Sequence, residues 1–175
     1  ALSPEWQAKE AFQTGLGRAP TPEELSKLTS RGNELAALGK PTSEVRGAMD
    51  FVIALSPEWQ AKDTYQASLG RAPSADELSK LTAFGNDLAA QGKTTPEVRA
   101  AMNFVVAMSP EWQAKDAYRA MLGREGSPEE VAGLVGFGAD QLAQGRQVPE
   151  MRAGMDFLIA LSPEWQAKHP SLNTD

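Results

Sequence analysis

The feature that most constrains this chain is an internal repeat. The heptapeptide Ser-Pro-Glu-Trp-Gln-Ala-Lys occurs four times, and consecutive copies lie 53 residues apart. A fixed period without insertions indicates that each period is one structural unit. We therefore predict three tandem repeats, residues 1–55, 56–108 and 109–161. A partial fourth repeat with a tail, residues 162–175, follows them.

Each repeat contains three segments with apolar residues at helical spacing. In the first repeat they predict a helix over residues 4–15, a second from Pro22 to a stop at Gly39, and a third over residues 43–55. No segment alternates apolar and polar residues as a strand does. The predicted fold class is all-α, with three-helix repeats and the partial fourth repeat acting as a C-terminal cap.

Two features of these helices predict how they pack. Gly32 recurs as Gly85 and Gly138 in the middle of the second helix, where glycine costs about 1 kcal/mol relative to alanine. We therefore expect another helix to pass close to it. The third helix is apolar on two sides, with Phe51 and Leu55 on the second side, so we expect it to contact its own repeat and the adjoining one.

The ends of the repeats carry local signals as well. Ser56 precedes a proline, which disfavours the α conformation and predicts a break between consecutive repeats. Val148 opens the third helix of the last repeat, where valine cannot cap, so fraying is expected there. Residues 162–168 are expected to complete the last joint, with His169 and Pro170 ending the helix before a disordered tail.

Composition limits the partners. The net charge is −6, which argues against a nucleic-acid partner because phosphate binding needs a basic face. No apolar run approaches the ~20 residues of a membrane span. We therefore expect no nucleic-acid partner and no membrane insertion, and we leave self-association open. The chain begins at Ala1 inside the repeat register without a visible signal peptide, so a fragment or processed product is expected.

Residues for catalysis are sparse. The only histidine is His169, near the end of the chain, and there is no cysteine to act as nucleophile or metal ligand. The sequence holds no glycine-rich phosphate loop, no nucleophile elbow and no calcium-binding loop. We therefore predict a protein that is not an enzyme, with no catalytic residue, no metal and no cofactor.

Tryptophan is the most informative repeated residue. Trp6 lies away from the apolar stripe of its own helix, so its ring has to find another surface. The favoured interpretation is packing at the joint between repeats, and the alternative is an exposed ring that stacks on a sugar. For Arg18 and its copies there are two interpretations: an ion pair with a nearby glutamate of the chain, or recognition of a carboxylate or phosphate on a ligand. The ion pair within the chain is favoured. The candidate ligand-binding residues are Trp6, Trp59, Trp112, Trp165, Gln7, Gln60, Gln113, Arg18, Arg71 and Arg124.

The pattern Tyr-x-x-x-Leu-Gly-Arg-x-Pro over residues 65–73, with Ser-Pro-Glu-Trp over 109–112, resembles a bacterial helical family known as domain of unknown function 4214. It is similar to phycobilisome-linker-type helical modules. The resemblance implies a secreted or surface-attached bacterial protein without catalytic residues, and some related modules bind cell-envelope glycans. Thr29 and Thr82 depart from the family, which usually has an aromatic residue there, and the third repeat has Glu125-Gly126 in place of Ala-Pro.

These observations favour a non-enzymatic structural or adhesive helical repeat module of a bacterial surface or secreted protein. Repeat arrays offer extended contact surfaces of that kind. The partner that the resemblance implies is a protein or an envelope polysaccharide. The alternative is a glycan-binding protein with one shallow, tryptophan-centred site in each repeat, where several weak sites add through multivalency.

Overall fold

The computed structural model describes residues 3–170, which form α-helices and short connections with no strand among them. The predicted all-α class is confirmed. The helices are α1 (Pro4–Leu16), α2 (Pro22–Ala37), α3 (Thr42–Ala54), α4 (Pro57–Leu69), α5 (Ala75–Ala90), α6 (Thr95–Ala107), α7 (Pro110–Leu122), α8 (Pro128–Ala143), α9 (Val148–Ala160) and α10 (Pro163–Lys168). Within the described part of the chain, no helix has both the length and the apolarity needed to cross a bilayer.

The described residues divide into two compact units. One unit extends to Met102 and holds α1 to α5 with the start of α6, and the other begins at Asn103 and holds the end of α6 with α7 to α10. The predicted repeat boundaries at residues 55, 108 and 161 each fall in a connection between two helices. The assignment of each repeat as a separate domain stays a prediction.

Local sequence explains where the helices begin and end. The backbone N–H of Trp6 donates to the hydroxyl of Ser3 at 3.3 Å, so serine caps α1 as predicted. Thr21 and Glu24 form a capping box at the start of α2, with the carboxylate 2.8 Å from the Thr21 nitrogen. Gly17 ends α1 with φ 67°, a left-handed conformation that favours glycine.

Within the first unit, the first repeat has its core where α1, α2 and α3 meet. Phe12 of α1, Leu28 of α2 and Met49 of α3 are all buried in it. A Cβ added to Gly32 would lie only 2.9 Å from the Cβ of Pro4 and would overlap the end of Met49. The close approach predicted at this glycine is therefore confirmed, and it involves both neighbouring helices.

The second unit repeats this arrangement with α7, α8 and α9. Tyr118, Leu134 and Met155 occupy the core positions. A Cβ on Gly138 would lie 3.1 Å from the Cβ of Pro110 and 3.0 Å from the sulfur of Met151. The mid-helix glycine thus lets the start of α7 and the face of α9 approach α8 closely.

The predicted contact of α3 with the adjoining repeat is present at α4, but the expectation that this contact covers the second apolar side of α3 is wrong. Phe51 is 64% exposed, and Leu55 is 40% exposed. The reason lies at Ser56, whose extended backbone (φ −69°, ψ 143°) breaks the helix and turns α4 toward the end of α1. The break itself is as predicted, but the turn leaves Phe51 in solvent.

The start of α9 also differs from the prediction. Val148 is the first helical residue and Gln147 the N-cap, and the Gln147 N–H donates to the Glu150 carboxylate at 2.9 Å. The premise of the predicted fraying, a valine at the cap position, is therefore wrong. Near the end of the described residues, α10 ends at Lys168 with His169 as its C-cap, as predicted. The predicted disordered tail, residues 171–175, lies outside the described residues.

Candidate functional site

The repeated heptapeptide lies against the preceding repeat in both units. Trp59 is half-buried and packs against the core of the first repeat, and Trp165 packs in the same way against the core of the third. Trp6, at the start of the described residues, is 45% exposed. Trp112, at the start of α7, is half-buried. In the structure, Trp59 and Trp165 therefore pack at joints between repeats.

Arg18 is the centre of the first joint. Its guanidinium binds Glu24 of its own repeat at 2.8 and 2.9 Å and Glu58 of the next repeat at 2.6 to 3.1 Å. A further N–H donates to the carbonyl of Ala19 at 3.1 Å, and the group lies over the ring of Phe12 at 5.4 Å. All five N–H donors of the side chain are therefore engaged within the protein.

Arg124 has the same role in the second unit. It binds Glu130 at 2.8 and 2.9 Å and Glu164 of α10 at 2.5 to 3.0 Å, and it lies 5.6 Å from the ring centre of Tyr118. Arg71 binds Glu77 at 2.8 Å. The predicted internal pairing of these arginines is thus present in every repeat, and the additional partner in the next repeat was not predicted.

The arginines also set the protonation of their partners. Hydrogen bonds from Arg18 hold the pKa of Glu24 at about 2, and Arg71 and Arg124 do the same for the pKa of Glu77 and of Glu130. The hydrogen bond from the backbone at each helix start acts in the same direction. These carboxylates are ionised at neutral pH and bound on both sides, so they are not suited to general acid or base chemistry.

The glutamine and lysine of the heptapeptide bind ends of preceding helices. The Gln60 amide donates to the carbonyl of Leu55 at 2.9 Å, and that of Gln113 donates to Ala107 at 2.7 Å. Lys168 donates to the carbonyl of Leu122 at the end of α7, at 2.7 Å. Lys62 binds the carbonyl of Leu16 in the same way.

The three candidate glutamines are not presented to solvent. Gln7, Gln60 and Gln113 are 3%, 2% and 6% exposed. The ε-oxygen of Gln113 accepts a hydrogen bond from Arg152 at 3.2 Å, which leaves that amide bound on both sides. Gln60 and Gln113 bind the ends of preceding helices, and burial keeps all three side chains from a ligand in solution.

The role of Glu58 and Glu164 was missed at the sequence level. Each pairs in the joint with an arginine 40 residues earlier, Arg18 and Arg124 respectively. The signal was available, because Leu-Gly-Arg and Ser-Pro-Glu recur in one register. In the sequence, an ion pair with the lysine four residues later already explained this glutamate, so a partner in another repeat was not sought. Glu5 and Lys9 form such a pair at 2.6 Å.

The surface features of the described residues include two that offer space for a ligand. The first is a shallow groove beside Trp6, and an equivalent groove lies beside Trp59. The Trp6 groove is lined by Trp6, Lys9, Glu10, Gln13, Ala19, Pro20 and Leu25. The Trp59 groove is lined by Gly15, Trp59, Lys62, Asp63, Gln66, Ala72, Pro73 and Leu78. An indole edge beside carboxylate and amide groups is the combination that the sugar-stacking alternative requires.

The second feature is a cleft of about 310 Å³ between the first and second repeats. Phe12, Leu28 and Val52 form part of its apolar wall, and the ion pairs of Arg18 line its polar side. A cleft of about 240 Å³ occupies the corresponding place beside α10. Both clefts are spaces left at a joint between a repeat and the following heptapeptide.

The described residues hold no group of three or more histidine, aspartate or glutamate side chains placed to bind a metal ion. His169 stacks on Trp165 with ring centres 4.2 Å apart, and its Nδ1 lies 2.9 Å from the Trp165 carbonyl oxygen. The only histidine of the chain thus closes the last turn of α10.

No family model matches the chain, and neither a curated protein nor a solved structure is significantly similar to it. The resemblance to the bacterial helical family 4214 stays a prediction.

Proposed function

We propose that this chain is a non-enzymatic structural helical repeat module of a bacterial surface or secreted protein. In this proposal it presents repeated surfaces to a protein or cell-envelope partner. One observation carries the proposal: at residues 56–62 and 162–168, the most strongly repeated residues of the chain bind the repeat before them. Residues that recur for a ligand would instead point away from the joint.

The contacts of the individual heptapeptide residues at the first joint, between the first and second repeats, support this assignment. Ser56 caps α4, Glu58 binds Arg18, and Trp59 packs on the preceding core. The side chains of Gln60 and Lys62 donate to carbonyls of the preceding repeat. Four of the seven side chains of this heptapeptide therefore hold two repeats together, as expected of a repeat protein whose units contact their neighbours.

The remaining surface supports an adhesive role. Phe51, Phe104 and Phe157 are 64%, 64% and 63% exposed and occupy the same position of each repeat. Large apolar side chains exposed at a regular position are a common mark of a protein-binding face. An extracytoplasmic location is part of the proposal through the family resemblance.

Tryptophan fluorescence tests the proposal. Three of the four tryptophans are replaced by phenylalanine in turn, and the remaining one is quenched with iodide. We expect poorly quenched, blue-shifted emission from Trp59 and Trp165 and efficient quenching of Trp6, and no saturable change with bacterial polysaccharides. Exposed emission from Trp59 or Trp165 that shifts saturably with one polysaccharide would overturn the structural assignment.

A second candidate function is glycan binding at the Trp6 groove. The observation that favours it is the 45% exposure of Trp6 beside Glu10 and Gln13. Calorimetric titration of the whole chain with envelope polysaccharides tests it, and Trp6→Ala should abolish any heat that belongs to this groove. Phe51→Ala, on another exposed surface, is the matched control. Heat that Trp6→Ala leaves undiminished would rule the groove out.

A further inference from the structure

The cleft between the first and second repeats has walls from both of them. Phe12, Leu28 and Val52 of the first repeat form apolar parts of its wall, and Thr82 and Asn86 of α5 line it from the second repeat. All these residues lie in the first compact unit. The volume of about 310 Å³ falls within the range of small-molecule sites, roughly 300–1,000 Å³. The cleft therefore has the size and the apolar surface that a small ligand needs.

Arg18 lines the same cleft but is not available to a ligand. Its N–H groups donate to the carboxylates of Glu24 and Glu58 and to the carbonyl of Ala19. These bonds also hold the two glutamates to the guanidinium. An anion that enters the cleft therefore has to bind a different cation.

Two other cations line the cleft, four residues apart on α2. Lys27 and Arg31 lie on the same face of this helix, because residues at this spacing are neighbours on a helix surface. Lys27 binds Glu23 at 2.7 Å and Arg31 binds Glu34 at 3.1 Å, and all four side chains are more than half exposed. Exposed ion pairs contribute little to stability, so both cations can exchange their partners for a ligand anion at small cost.

This pair of cations distinguishes the first repeat from the other two. The residues at the same positions of the period are Lys80 and Phe84 in the second repeat and Gly133 and Phe137 in the third. Leu28, which lies between the two cations in the sequence, recurs as a buried leucine in all three repeats. The core of the repeat therefore requires the leucine but not the two cations beside it.

We propose that this cleft binds a small amphipathic anion, with an apolar chain or ring and one carboxylate. The apolar part packs on Phe12, Leu28 and Val52, and the carboxylate binds Lys27 and Arg31. Because the second repeat contributes part of the wall, the bound ligand contacts both repeats and stabilises the folded chain by mass action. The site goes beyond the proposed structural role, and it shares no lining residue with the Trp6 groove.

Calorimetric titration of the whole chain tests the site, with decanoate as the probe and decanol as its uncharged match, each below its solubility limit. We expect saturable binding of one decanoate per chain, roughly three- to tenfold tighter than that of decanol, because only decanoate can pair with the two cations. Saturating decanoate should also raise the Tm. A folded chain that binds no decanoate, or binds decanoate and decanol equally, would overturn the proposal.

Substitutions of the ion pairs test the position of the carboxylate. Lys27→Gln combined with Arg31→Gln should lower the affinity for decanoate to that for decanol and leave the affinity for decanol unchanged. Glu23→Gln combined with Glu34→Gln removes the competing carboxylates and should tighten decanoate binding by about two- to fivefold. Lys40→Gln, which breaks an exposed pair outside the cleft, is the matched control and should change neither affinity. Decanoate binding that is the same in all three variants would contradict the assigned position.

The apolar part of the site is tested separately by filling the cleft. Asn86 is exposed on its wall, so Asn86→Trp adds a large side chain there without changing the core. We expect this variant to keep the circular dichroism of the parent chain and to lose binding of both decanoate and decanol. Binding of decanoate that survives Asn86→Trp in the folded chain would place it elsewhere and overturn the proposal. The fluorescence test of the proposed function is unaffected by either result.

Discussion

At the residue scale, arginine rather than lysine is required at the joints. The guanidinium of Arg18 binds two carboxylates from two different repeats and still lies over an aromatic ring. A planar group with five fixed donors can do this, whereas an ammonium group has three donors on one atom. Arg124 repeats the arrangement in the second unit. Each residue therefore secures the end of one repeat and the start of the next.

The carboxylates bound by these arginines predict a dependence of stability on pH. The pKa of Glu24, Glu77 and Glu130 is about 2 in the folded chain, below the ordinary value of 4.5. Their contribution is therefore complete above about pH 4.5 and is lost as the pH falls toward 2. Thermal unfolding measured from pH 7 to pH 2.5 should show a nearly constant Tm above pH 5 and a steady fall below it.

The control for this pH dependence replaces the three glutamates by glutamine. We expect this variant to be less stable than the parent chain at pH 7 and to lose less stability between pH 4.5 and pH 2.5. The side chains are about one-third exposed, so the effect of each is reduced by solvent. Parallel curves for the two proteins would show that other groups cause the acid sensitivity.

Two glycines of α8 provide a matched pair of substitutions. Gly138 is buried, and an added Cβ would meet Pro110 and two methionines, whereas at Gly136 nothing lies within 4 Å. We expect Gly136→Ala to stabilise the chain by up to about 1 kcal/mol, because alanine favours the helix. Gly138→Ala should destabilise it by about 1–3 kcal/mol through overpacking. Chemical denaturation measures both, and equal effects would contradict the close approach seen at Gly138.

At the element scale, the heptapeptide both starts a helix and contacts the preceding repeat. Its serine and proline start the helix, and at residues 56–62 its glutamate, tryptophan, glutamine and lysine bind the repeat before it. The starting signals are local and predicted the first residue of α1, α4, α7 and α10 from sequence. The contacts to the preceding repeat could not be predicted in detail, because they depend on the angle at which the chain turns at Ser56.

The joint predicts different consequences for two arginine-to-lysine substitutions in the first repeat. Arg18→Lys removes the fork that links α1, α2 and α4, and we expect it to destabilise the chain by about 1–2 kcal/mol. Arg31 forms one exposed pair with Glu34 at 3.1 Å, so Arg31→Lys should change stability by less than about 0.5 kcal/mol. Urea denaturation of the two variants measures the difference, and similar losses would contradict the central role of Arg18.

At the scale of the whole molecule, the repeat displays the same apolar surface three times. Phe51, Phe104 and Phe157 are each more than 60% exposed, and an aliphatic residue follows each of them. This side of the third helix was expected to contact the adjoining repeat because the helix is apolar on two sides. Their exposure at one fixed position of the period makes them candidates for partner binding, since they are not needed for the core.

This surface predicts a substitution that separates stability from association. Replacing the three phenylalanines by glutamine should shift the Tm by no more than a few degrees, because little buried area is lost. The same variant should bind a hydrophobic-interaction column more weakly than the parent chain. Met49→Ala, at a fully buried position, is the contrast and should cost about 2–5 kcal/mol. A large loss of stability in the phenylalanine variant would show that this surface is covered in solution.

The sequence by itself determined the helices of this protein and their boundaries within one or two residues. Serine and threonine caps, proline at the first turn and glycine at positive φ act on neighbouring residues, so their effects can be predicted without knowing the fold. The close approach at Gly32 was predictable because glycine destabilises the interior of a helix. A glycine that recurs there therefore indicates that a neighbouring helix leaves no space for a side chain.

Only the tertiary structure decided which surfaces the repeats cover. Glu58 had a lysine partner within its own helix, and its bond to Arg18, 40 residues away, exists because the turn at Ser56 brings α4 to the end of α1. The same turn leaves Phe51 in solvent, although its apolar character suggested burial. Such contacts depend on the orientation of whole helices. A different orientation would bury and expose different side chains, although the local signals that start and end the helices would be the same.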